Sequence, residues 1–148
     1  MIINQAVLYH ERVTTATARF AQLPSVRRRL TAYFRQLVVG HNYVVVGRDI
    51  GSQVLPDARV KLFITARPAV RAQRRIQQHG EPSTLTNYRR MMSMLQDRDH
   101  QDVNRSVAPL RPTPDSIIFD NSDLELAQAQ IKLLELVQTL VAPSHSAD

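Results

Sequence analysis

Val60-Lys61-Leu62-Phe63-Ile64-Thr65-Ala66-Arg67-Pro68-Ala69-Val70-Arg71 is the stretch on which the fold turns. Apart from Lys61, its first six residues are apolar or β-branched at consecutive positions. That is the pattern of a strand buried on both faces of a parallel sheet, not the alternation of a half-exposed one. Pro68 then opens a helix to about Gln78, closed by Gly80, because proline suits a first helical turn and glycine a helix end. Upstream, Tyr43 to Val46 is a second short β-branched run, ended by Gly47. Before it, Pro24 to about Val39 predicts an amphipathic helix, with Val26, Leu30, Phe34 and Leu37 recurring at spacings of three and four. Downstream, Ser83 or Thr84 caps a helix running to about Gln96. Ser116 to Asp120 is a third strand, and Ser122-Asp123-Leu124-Glu125 is a capping box. It launches a last helix to about Leu140, whose apolar face includes Leu126, Ile131, Leu134 and Val137. Helices alternating with buried strands predict an α/β fold of the doubly wound kind, in one domain over residues 1–148. Its tail frays over 141–148.

Composition narrows the classes of function. The chain has 148 residues, 43% of them hydrophobic, which suits one globular domain with a core. No apolar run approaches a membrane span, and the start has no secretory pattern. Cysteine is absent, which excludes disulfides and thiolate metal sites and points to a cytoplasmic setting. The net charge of +6 is almost all arginine, because Lys61 and Lys132 are the only lysines among 19 basic residues. These arginines are scattered among carboxylates rather than gathered in a block. That distribution suits discrete phosphate or carboxylate contacts better than a nucleic-acid face.

Two Arg/Asp clusters lie about fifty residues apart. One is Gly47-Arg48-Asp49-Ile50-Gly51, followed by Leu55-Pro56-Asp57-Ala58. The other is Asp97-Arg98-Asp99-His100-Gln101-Asp102-Val103-Asn104-Arg105, followed by Ala108-Pro109-Leu110. Guanidinium groups gripped by carboxylates are a common way to hold phosphate in one orientation. Arg98, Asp102 and Arg105 share a face if this stretch is helical, so Asp102 would hold both guanidiniums. Spacing alone equally allows a plain salt-bridge ladder there, and favours a local ion pair shaping a turn at Arg48 and Asp49. No G-x-x-x-x-G-K-[ST] phosphate loop occurs in the sequence. His41, His79 and His100 lack metal-ligand spacing, and Met91, Met92 and Met94 read as packing residues.

With these motifs in order, the chain resembles the bacterial cytidylate kinases, the (d)CMP kinase family of P-loop enzymes. The likeness runs from about Val13 to Val137. It rests on the two clusters together with Leu23-Pro24-Ser25-Val26-Arg27, Arg71-Ala72-Gln73-Arg74-Arg75 and Asn104-Arg105-Ser106-Val107-Ala108-Pro109-Leu110. The resemblance implies a P-loop kinase-like, doubly wound parallel sheet that is incomplete. The central strand carrying the phosphate loop would precede Met1 and lie between the strands ending at Val46 and starting at Val60. It implies an N-terminally truncated domain, with a lid over about 81–109. The implied reaction is ATP + (d)CMP to ADP + (d)CDP, with Mg²⁺ accompanying ATP. Arg27, Arg48 and Asp49 then bind CMP, Arg98, Asp102 and Arg105 stabilise charge on the phosphates in flight, and Arg74 and Arg75 reach ATP. CMP or dCMP and ATP are the implied small-molecule partners, and a further chain supplying the phosphate loop is a possible one.

Several positions depart from the family pattern. Val46 stands where a carboxylate is usual, Ala18 where a substrate-binding Ser is usual, and Phe34 where a Gln is usual. Gln101 and Val103 replace lid residues that are often arginine. Each removes a polar partner, so the chain alone is expected to turn over weakly or not at all. The alternative is a non-catalytic remnant that binds a nucleotide or a partner.

Overall fold

The computed structural model describes Val13, Ala16, Thr17, Phe20 and residues 23–142. Ala18 and the tail from Pro143 lie outside the described residues. Helix α1 spans Pro24–Leu37 with its proline in the first turn. Asn42 to Val46 has no regular secondary structure, and a π-helical turn follows at Ile50–Val54. Strand β1 is Leu62–Thr65, and helices α2 (Pro68–Gln78) and α3 (Leu85–Asn104) follow it. Strand β2 is Ile117–Asp120, and helix α4 is Leu126–Val141. β1 and β2 pair in parallel from Leu62↔Ile117 to Thr65↔Asp120, so the chain crosses over through α2 and α3 between them. Within Val60–Arg71 a parallel strand feeds a proline-initiated helix, as expected, and Gly80 follows that helix at φ +65°. A mixed helix and strand architecture with a small parallel sheet is compatible with a kinase-like α/β fold.

Four expectations need correction. Tyr43–Val46 is not a strand. Among the described residues no backbone group pairs with it, and Val44 and Val46 are 93% and 91% exposed. β-propensity becomes a strand only when a neighbour completes the ladder. Burial on both faces of the sheet also fails, because Ile64 and Ile118 are more than half exposed and lie on opposite faces of the pair. Neither α1 nor α4 contributes a buried residue. Next, α3 does not stop near Gln96. Thr84 caps it by accepting from the Asn87 N–H at 3.2 Å, and no glycine or proline interrupts it before Asn104. Last, the capping box of the final helix is Glu125 with Gln128, not Ser122 with Glu125. The Ser122 hydroxyl is engaged elsewhere: it donates to Asp120 Oδ1 at 2.5 Å and accepts from the Arg67 N–H at 2.7 Å.

The buried centre is the α2–α3 hairpin. Ala72 and Ile76 on α2 meet Met91 on α3, and Tyr88, Met92 and Leu95 pack against them. Among the described residues only Val54, Ala66 and Ala108 add further buried apolar side chains. The apolar stripe expected on α1 is present but open, with Leu30, Phe34 and Leu37 all exposed. Among the described residues no helix is long and apolar enough to cross a membrane. Because so little apolar surface is buried, removal of the central side chains should dominate stability. Met91→Ala or Ile76→Ala is expected to lower stability by about 2–5 kcal/mol, while Leu134→Ala on the exposed face of α4 stays within about 0.5 kcal/mol. Urea unfolding midpoints of the three variants check this.

Candidate functional site

The two Arg/Asp clusters meet. Asp49 caps the π-helical turn, and its main-chain carbonyl accepts from the N–H groups of Gln53 (2.9 Å) and Val54 (3.2 Å). Gly47 permits the approach to that turn, since a Cβ there would lie 2.8 Å from the Ile50 side chain. The Asp49 carboxylate is paired with Arg27 of α1 and lies 3.9 Å from Arg105 Nη2. Arg105, which caps the C-terminus of α3, stands 3.8 Å from Asp102. Asp102 also pairs with Arg48. The order Arg27, Asp49, Arg105, Asp102, Arg48 is therefore a continuous alternation of charges linking α1, the turn and α3. Asp102 does hold two guanidiniums, but its second partner is Arg48 and not Arg98.

The loop after α3 is drawn in to complete this chain. Arg105 Nε donates to the Ala108 carbonyl, and the Leu110 N–H donates to the Asp102 carbonyl at 2.8 Å. Ala108 is buried and sits at φ 53°, a left-handed conformation that costs about 1 kcal/mol or more for a residue with a Cβ. Side-chain exposure is 14% for Asp49 and 15% for Asp102, so these pairs are largely shielded from solvent. Arg105 Nη2 is buried and, beyond its 3.9 Å approach to Asp49, has no hydrogen-bond partner among the described residues. Such a donor is suited to an oxygen of a bound anion.

Beside the charge chain is a cavity of about 250 Å³. It is lined by Arg48, Arg71, Arg74, Arg75, Gln78, Leu95, Arg98 and Asp99. Five guanidiniums thus face one carboxylate. Asp99 is taken up by Arg71, which reaches it with both terminal nitrogens and also donates from Nε to the Ala66 carbonyl at 3.0 Å. Arg74 is turned to the rim: it donates to Asn121 Oδ1 (2.7 Å) and to the carbonyls of Asn121 and Leu124 (2.9 Å each). Among the described residues the Arg75 guanidinium reaches only Gln78, at 3.3 Å. Among the described residues the Arg98 guanidinium has no ion pair or hydrogen bond. Burial, then the like charges of Arg98 and Arg105, hold the Arg48 guanidinium below its ordinary value. Repulsion of this kind is relieved when an anion enters.

All eight sequence-predicted residues therefore fall in two adjoining groups that share Arg48. Arg71, Gln78 and Asp99 were not among them. Arg71 and Asp99 stood inside quoted motifs, but nothing in their spacing showed that they pair across α2 and α3. Among the described residues no group of three His, Asp, Glu or Cys side chains is placed to hold a metal. Asp49, Asp99 and Asp102 are all engaged by arginines, so this donor set does not fit a protein-held Mg²⁺.

Fold and site define an α/β protein with a cavity lined by five arginines and one aspartate. The cytidylate kinase family model matches residues 2–139. A cytidylate kinase of Mycobacterium avium is 40% identical over 129 residues, covering 86% of this chain and 57% of the relative. One of Mycobacterium leprae is 42% identical, over 86% of this chain and 58% of the relative. A bifunctional pantoate ligase/cytidylate kinase of a Synechococcus strain is 35% identical over 98% of this chain. The chain belongs to the cytidylate kinase family. It spans somewhat over half the length of the mycobacterial relatives, matching their later part.

The Arg71–Asp99 pair gives the site a pH signature. Hydrogen bonds from Arg71 hold the Asp99 carboxyl below its ordinary value of 3.8, against an opposing effect of burial. A depressed folded-state value stabilises the fold fully above pH 3.8, and this contribution is lost as pH falls below that through the folded value. Asp99→Asn is thus expected to flatten the decline of the urea midpoint below pH 3.8, with wild type the steeper.

Proposed function

We propose that this chain forms the acceptor and lid side of a cytidylate kinase site, whose family reaction is ATP + (d)CMP to ADP + (d)CDP. The observation that carries this reading is the arginine-lined cavity lying against the Arg27–Asp49–Arg105–Asp102–Arg48 charge chain. Arg27 and Arg48 take the phosphate of CMP, and Asp49 takes its sugar or base. In the transfer, a CMP phosphate oxygen attacks the γ-phosphorus of ATP in line, and the bond to the ADP oxygen breaks. Arg98 and Arg105 neutralise charge on the moving phosphoryl group, and Asp102 holds Arg105 and Arg48 in position. Catalysis of this kind is mostly placement and charge stabilisation, with little covalent work for the protein. Arg75 faces the donor phosphates, while Arg74 lines the same cavity and holds the Asn121–Leu124 turn. Mg²⁺ enters as part of the MgATP substrate, since the aspartates here are engaged by arginines.

The donor cradle is the part this chain's residues do not supply. The preceding segment of the longer relatives, provided by a further chain or by the rest of a longer one, would bring a phosphate loop. Asn42–Val46, whose backbone has no partner among the described residues, offers it two almost fully exposed valines. Alone, the chain is expected to bind CMP but to release ADP from ATP and CMP slowly or not at all. A second reading, favoured by Val46 at the usual carboxylate position and its 91% exposure, is a non-catalytic nucleotide- or partner-binding remnant.

Calorimetry with CMP and with ATP, plus a coupled ADP-release assay, separates these readings. CMP binding without turnover supports the acceptor site. Family-like turnover would show that the donor cradle is not needed. Binding of neither nucleotide leaves the interaction role. Arg48→Ala is expected to weaken CMP binding about tenfold or more, the loss of one charge-assisted hydrogen bond.

A further inference from the structure

Helix α1 grips the turn that carries the acceptor residues at two points. At one end Arg27 pairs with the Asp49 carboxylate. At the other, Arg35 Nε donates to the Val54 carbonyl at 2.7 Å, and its Nη2 donates to the Gln53 carbonyl at 2.9 Å. The two arginines are eight residues apart, about 12 Å along a helix axis. Between these grips the turn closes on itself. The Asp49 carbonyl receives Gln53 and Val54, and the Leu55 N–H donates to the Ile50 carbonyl at 2.7 Å. Val54, 5% exposed, is the buried peg of this turn.

Arg35 lines neither the cavity nor the charge chain. Whatever it does at the site therefore passes through the turn. A basic residue in the last turn of a helix would ordinarily complement the helix dipole. Here the guanidinium bridges two successive carbonyls of another element. Its planar fork matches that spacing, whereas an ammonium is a single point charge. We propose that Arg35 is a positioning residue for the acceptor nucleotide: it fixes the π-helical turn so that Asp49 meets Arg27 and Arg48 meets Asp102 and the cavity. This rests on the reading of Arg48 and Asp49 as the CMP-contacting residues.

Two measurements on the full chain test it: amide hydrogen exchange resolved to residues 49–55, and CMP binding by calorimetry. Arg35→Ala should speed exchange at Gln53, Val54 and Leu55 by about tenfold or more while α2 and α3 amides keep their protection. It should weaken CMP binding roughly five- to tenfold, and in an Arg48→Ala background it should add little further loss. Arg35→Lys should fall between wild type and Arg35→Ala in both readouts. Unchanged exchange in the turn overturns the clamp, as does a loss of protection spread equally over α2 and α3. Faster exchange with unaltered CMP affinity, or a loss fully additive with Arg48→Ala, overturns the positioning role. Absence of CMP binding by wild type removes the acceptor reading and with it that role, while exchange still decides the clamp.

Discussion

Asp49 and Asp102 are each held between guanidiniums that come from different parts of the chain, and the rest of the site depends on that arrangement. Asp49 joins α1 to the end of α3, and Asp102 joins α3 to the segment after Asn42–Val46. Both carboxylates are mostly shielded from water, where an uncompensated charge is costly and a partner is needed. The pairs therefore act as cross-links between elements that share little apolar contact. They also set orientation. With the carboxylates occupied, the remaining arginines of the cavity face one another and present unbalanced positive charge to whatever enters.

The sheet is the counterpart of this well-knit polar site. Two paired strands with both faces open, two amphipathic helices without a buried residue, and an exposed run of valines describe apolar surfaces that meet no complement among the described residues. The α2–α3 hairpin, by contrast, is packed and carries most of the cavity. In the proposed division of labour, this hairpin and the acceptor turn hold nucleotide phosphate, and the sheet edge receives the strand that brings the donor loop. Binding and assembly are then separate properties of one chain.

Much of this was legible in the sequence where local chemistry decides the outcome. Pro68 and Gly80 bracket α2 because proline and glycine act within a single turn, and Thr84 caps α3 for the same reason. The Arg/Asp clusters marked the residues that the fold gathers into the charge chain and the cavity wall. What the sequence did not show depends on partners distant in the chain. Tyr43–Val46 has strong strand propensity, yet among the described residues no neighbour completes its ladder. Ser122 has the right spacing for a capping box, but Asp120 and the Arg67 N–H engage its hydroxyl. Asp102 lies between two arginines of its own motif, yet pairs with Arg48 rather than Arg98. Arg71–Asp99 and Arg35 with the Gln53 and Val54 carbonyls were silent, because no local pattern marks a contact across elements.

We propose that these arginines recognise the phosphate of a nucleoside monophosphate. ³¹P and ¹H NMR titrations of the chain with CMP and with cytidine test it most directly. Saturable perturbation of the CMP phosphate resonance, with cytidine binding far more weakly, is the predicted result. Equal binding of CMP and cytidine, or no perturbation of the phosphate signal, would contradict it.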